Sequence, residues 1–228
     1  MTTTYTSYRL VSQDMTRSIE RVSQEPLVER DTEYYLANIS KIKNIDDFMA
    51  DTRIFNYAMK AHGLEDMTYA KAFIRKALSE GVDEADAFAN KLSDTRYVDF
   101  VKTFNFASQG EVTTVFTKAQ QGTVDKYMRQ TLEETAGEEN TGVRPALYFE
   151  RMASTVTSGS GFIADTSIYD VVRPPLGLPA DFPNPNIHRQ SAYLESRIYS
   201  AHFSAPEHLA KCIDCLTVPY PFVHQPTR

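Results

Sequence analysis

The residues best equipped for chemistry lie close to the C-terminal end of the sequence. Cys212 and Cys215 stand three positions apart, with His202, His208 and His224 around them. Zinc takes two thiolates and two imidazoles tetrahedrally, and Cys-x-x-Cys is the usual first half of such a site. The histidines do not supply a standard second half, and Cys212 falls inside a predicted helix. Two free thiols at a helix end are therefore the expectation, with no metal site and no cofactor.

The rest of the chain offers little for catalysis. His62 and His188 complete a scattered set of five histidines, none paired in sequence with a nucleophile and an orienting acid. There is no Gly-rich phosphate loop, no His-Glu-x-x-His and no EF-hand loop, and Gly159-Ser160-Gly161 is not a nucleophile elbow. No catalytic residue is assigned. His62, Arg144 and Tyr148 are the polar set that a pocket between helices would need to gather, and they stand as a candidate pocket or interface. Glu133-Glu134 and Glu138-Glu139 sit around a predicted helix C-terminus, where the helix dipole disfavours negative charge. Solvated charge is the preferred reading, ahead of a contact with Arg144 or with a partner.

A repeated phrase suggests what positions these groups. Phe48 to Phe55, Lys91 to Val98 and Phe162 to Tyr169 each place an Asp-Thr pair before an apolar pair. Such an aspartate accepts bonds from the unpaired N–H groups of the turn it precedes, so Asp51, Asp94 and Asp165 are predicted structural helix caps rather than ligands. After Asp51, the residues Ile54, Ala58, Ala61 and Leu64 line one face, and Gly63 ends the helix. Met67 to Leu78 is predicted as a further helix stopped by Gly81, and Asp83 to Leu92 as another. Asp94 opens a helix carrying Tyr97, Phe100, Val101 and Phe104 inward, while 105–116 is predicted to be loop. Thr123 to Ala136 is predicted as a helix terminated by Gly137, and Pro145 can open the next. The third copy, with 192–199 and 207–214, parallels the first in order and character, so two diverged copies of a three-helix unit are expected. Their uneven spacing is not that of a solenoid.

Composition agrees with a helical reading. Nine glycines in 228 residues disfavour a turn-dense all-β design. The expected fold is an all-α irregular multi-helix bundle. Residues 1–12 are expected to be a flexible N-terminus and 13–214 a single all-helical domain, with a subdivision near 157–161 and an irregular tail at 215–228. A net charge of -6 without a Lys/Arg cluster argues against nucleic acid. No apolar run reaches membrane-spanning length. The first residues have neither a basic nor an apolar signal region, so a reduced cytoplasmic protein is expected. Thirteen Tyr and thirteen Phe exceed what one interior stripe needs, and those left exposed suit a protein–protein surface.

Several stretches carry a family resemblance: Glu33 to Asn38, Asn56 to Leu64, Thr123 to Tyr127, Arg129 to Glu134, Gly142 to Arg144 and Ala146 to Phe149. Together they resemble the domain of unknown function 1217 family, found mainly in alpha-proteobacteria. The resemblance implies an all-α fold and a gene setting beside flagellar basal-body genes, with no established activity and no catalytic residues. Pro145, Pro174-Pro175 and the tail from Cys212 depart from the helical pattern the resemblance implies. The expected function is a non-enzymatic helical interaction protein with protein partners, accessory to flagellar assembly or function. Export through a flagellar-type channel, which needs no cleaved signal, is compatible with the polar N-terminus. The alternative is a small-molecule-binding or catalytic helical domain with a pocket between helices.

Overall fold

The structure is a computed structural model that describes residues 3–152 and Tyr169. The described residues are all-α, without strands. Asp165, Cys212, Cys215, the C-terminal tail, the second three-helix copy and the stretch 157–161 lie outside them.

Helix starts follow local side-chain chemistry. Thr3 caps α1 (Thr4–Ser12), α2 spans Met15–Ser23, and α3 (Pro26–Asn38) opens on the proline that needs no N–H partner. Asn44 accepts from the Asp47 amide at 2.8 Å and starts α4 (Ile45–Ala50). Asp51 closes α4 and opens α5 (Thr52–Ala61), its Oδ1 accepting from the amides of Arg53 and Ile54, both at 3.0 Å. Asp94 opens α7 (Thr95–Thr103) by accepting from the Arg96 amide at 2.9 Å. Each such cap contributes about 1 kcal/mol, because a helix otherwise leaves those donors unpaired.

Between α5 and α7 lies α6 (Lys71–Glu80), preceded by a single 3-10 turn at Glu65–Met67. Gly81 ends α6 with φ +71°, a backbone conformation that a side chain would strain. The helix expected over Asp83–Leu92 is absent; only a 3-10 turn forms, at Phe88–Lys91. Here side chains outcompete the helix for the backbone. Glu80 accepts from the Phe88 backbone amide at 2.7 Å, and the Asn90 side-chain amide donates to the carbonyls of Val82 and Glu84 at 2.9 and 2.8 Å. The expected loop at 105–116 is instead a short helix, α8 (Phe106–Gln109), followed by a 3-10 turn at Gly110–Val115. Buried hydroxyls hold it: Thr113 donates to the Gly110 carbonyl and Thr114 to the Ile42 carbonyl, each at 2.8 Å.

Helix α9 (Gln121–Glu139) runs through Gly137 rather than stopping there, and α10 (Val143–Met152) follows after a short turn. Gly137 serves close approach, because a Cβ at that position would lie 2.8 Å from the Cβ of Arg144 on α10.

By contact the chain divides into two compact units, Met1–Met15 with Glu133–Arg228, and Thr16–Leu132. In the first, α1 packs on α10 and buries Tyr8 and Thr4, whose hydroxyl donates to Asn140 Oδ1 at 3.1 Å. Within the segment 1–12, residues Thr4–Ser12 form this helix, and Tyr8 supplies apolar area that offsets its ordering. In the second unit, α3 and α4 pack on α5 and α4 packs on α6. Its core holds Phe48, whose ring lies 4.8 Å from Phe104, 5.9 Å from Phe55 and 6.2 Å from Phe100. Beside it Tyr35, Tyr57 and Tyr127 stack in series, with centroids 4.4 and 3.8 Å apart.

Candidate functional site

In the unit formed by Thr16–Leu132, a polar cluster gathers around the buried His62. Helix α5 ends at this residue, which places the imidazole against α7, where Asp99 and Thr103 lie one turn apart. The side chain has no accessible surface, and the edges of Phe100 and Phe104 close on it with centroids at 5.3 and 5.8 Å. Nδ1 lies 2.9 Å from the Ala58 carbonyl. A carbonyl only accepts, so the ring proton belongs on Nδ1 and Nε2 presents its lone pair. Lys126 of α9 donates to that lone pair at 3.2 Å and also pairs with Asp99 at 2.5 Å. Thr103 Oγ1 stands 3.1 Å from Nε2 and 3.0 Å from the Asp99 carbonyl.

Burial disfavours a charged ring, and the Lys126 ammonium disfavours it further. Together they outweigh the Ala58 and Asp99 contributions and bring the His62 pKa down to about 4. The ring is accordingly neutral at physiological pH. A general base has to offer its lone pair to a substrate. This lone pair is directed at Lys126 and has no route to solvent through its own surface. The cluster holds three helices together through one imidazole.

Arg144 and Tyr148 belong to the other unit, one turn apart on α10. The Arg144 guanidinium lies 3.6 Å from Glu134, and its stem covers Gly137. Arg151, one turn further, forks onto Glu133 at 2.8 and 3.0 Å, with its guanidinium 5.1 Å over the Tyr148 ring. Glu133 has 1% of its side chain accessible. The solvated-charge reading is therefore corrected for Glu133 and Glu134, which pair with arginines of the next helix; Glu138 and Glu139 are exposed.

Sequence reasoning did not single out Asp99, Thr103 or Lys126. The available signal was the four-residue spacing of Asp99 and Thr103 on the helix opened by Asp94. Among the described residues no group of three or more His, Cys, Asp or Glu is arranged to hold a metal ion. Nor is any helix among them long and apolar enough to cross a membrane.

No curated protein matches the chain. The crystal structure of protein AGR_C_984 from Agrobacterium tumefaciens is similar to it, at 49% identity and a TM-score of 0.90. The likeness covers 97% of this chain and 94% of that one. The family model described as a protein of unknown function, DUF1217, matches residues 61–209, a span that includes His62, Asp99, Thr103 and Lys126. By this match over most of its length, the chain belongs to the DUF1217 family.

Proposed function

We propose that this chain is a non-enzymatic helical interaction protein that binds a protein partner from the cytoplasm. The observation that carries the reading is an apolar ridge in the second unit. Val112, Val115 and Phe116 are 53, 56 and 43% exposed along the 3-10 turn at Gly110–Val115 and its end. Residues three apart eclipse on a 3-10 turn, so the two valines stand on one side. The turn is anchored beneath them by Thr113 and Thr114, which leaves the apolar side chains fixed outward at little further ordering cost.

The experiment is affinity capture from the native host with the intact chain and with Val112→Ser/Val115→Ser/Phe116→Ser in parallel. The reading expects a partner retained by the first and lost with the second while far-UV circular dichroism is unchanged. Equal capture by both removes the ridge as the binding surface. An accessory role in flagellar assembly or function is supported by the family resemblance alone. Secretion assays on a chain lacking residues 2–12 test it: export that is unchanged, or absent from the start, removes the export part. Because Tyr8 is buried in α1, that deletion is paired with a folding check.

A further inference from the structure

The cluster at His62 has a geometry that allows only one arrangement of protons at a time. Nε2 faces the Lys126 ammonium at 3.2 Å and the Asp99 carboxylate at 3.7 Å. These are the charged groups directed at the ring, one from α9 and one from α7; α5 itself contributes the Ala58 carbonyl. Arg96 of α7 is engaged one residue further on, at the Gly63 carbonyl. With Nε2 unprotonated, Lys126 donates to both the ring and Asp99. A proton on Nε2 would set two cationic donors against each other at hydrogen-bond distance in an enclosed site, which is strongly unfavourable.

Relief is available on one side only. The His62 side chain is fully enclosed, while Lys126 and Asp99 keep 38 and 57% of their side chains accessible. The ring cannot leave, but the lysine can. We propose that protonation of His62 exchanges the partner of Asp99: Nε2–H donates to the carboxylate, and Lys126 is released to solvent. The proton comes from water, the Lys126–Asp99 pair opens and an imidazolium–Asp99 pair forms. The tie between α9 and α7 is thereby replaced by one between α5 and α7. The Lys126 ammonium on α9 is left unpaired and solvated, the added charge resides on the His62 ring, and α5 and α7 stay joined, so the site is an acid-operated release of α9's ionic anchor.

Side-chain nitrogen NMR on the full chain, titrated downward from neutral pH, tests the exchange. The Lys126 Nζ signal is expected to shift with the same midpoint as the His62 ring, with far-UV circular dichroism unchanged across it. Lys126→Met is expected to raise the His62 midpoint by about one pH unit, and Asp99→Asn to lower it. Lys126→Gln provides a second charge-removing variant should the first misfold. A Lys126 signal that does not follow His62, a midpoint unmoved in both lysine variants, or protonation of His62 only on global unfolding would each overturn the exchange.

Discussion

Asp51-Thr52-Arg53 and Asp94-Thr95-Arg96 are the same three residue types, and each aspartate caps a helix, yet the arginines go different ways. The Arg53 side chain leaves its own cap alone. It pairs with Asp31 at 2.9 Å and lies over the Tyr34 ring at 3.7 Å, while the Tyr34 hydroxyl donates to Asp51 at 2.9 Å. Arg96 turns back, its Nε and Nη2 gripping Asp94 at 3.0 and 2.7 Å, and its Nη1 donates to the Gly63 carbonyl at the end of α5. The difference is one of neighbours. A helix earlier in the chain supplies Tyr34 and Asp31 to the first copy, whereas the second copy begins beside the end of the first copy's helix. A local phrase fixes where a helix starts, and packing decides what its charged side chain does next.

The most damaging way to break this arrangement is to remove what joins the two helices. His62→Ala is expected to cost about 3 kcal/mol in chemical denaturation, through a cavity and the loss of partners for Lys126 and Thr103. Acid acts on the same joint. Folding depresses the His62 pKa from 6.5 to about 4, so the unfolded chain takes up a proton first. Stability is complete above the unfolded value and declines as pH falls toward the folded one. The expected loss between pH 7 and pH 5 is about 2 kcal/mol, and His62→Phe should flatten that dependence in urea titrations.

The caps come next. Asp51→Ala and Asp94→Ala should each lower stability by about 1 kcal/mol, whereas Asp51→Asn should be nearly silent because the amide oxygen still accepts. Asp51→Ala also has an optical consequence. The Tyr34 phenol is held above its ordinary pKa, first by its hydrogen bond to Asp51, and ultraviolet titration should find it lower in the variant. The smallest effect discriminates best. A double-mutant cycle on Asp94→Ala and Arg96→Met should give a coupling of roughly 0.5 kcal/mol, reduced by partial exposure of both groups. The same cycle on Asp51→Ala and Arg53→Met should give a smaller value, because the Arg53 side chain reaches Asp51 only through Tyr34. Equal couplings would mean that the two phrases behave alike.

What could be read in advance follows from reach. Cap bonds close within three residues, so an Asp-Thr pair before apolar spacing marks a helix start without knowledge of the fold. The partners of His62 lie 41 and 64 positions away, at Thr103 and Lys126, and no pattern around His62 itself points to them. The stretch Asp83 to Leu92 misled for the opposite reason. Its apolar spacing suits a helix, but Glu80 and Asn90 occupy the backbone groups that a helix needs. Gly137 misled because one residue type serves two purposes: it looks like a terminator and acts as clearance for Arg144.

The stacked tyrosines have a practical consequence. The chain contains no tryptophan, so its near-ultraviolet absorption belongs mainly to tyrosine. The rings of Tyr57 and Tyr127 lie 3.8 Å apart and 11° from parallel, with Tyr35 continuing the stack on the other side. Rings held that closely couple their transitions, and the coupling vanishes once α3, α5 and α9 separate. The protein therefore carries an intrinsic optical reporter of how those three helices meet, readable without a label or an introduced fluorophore.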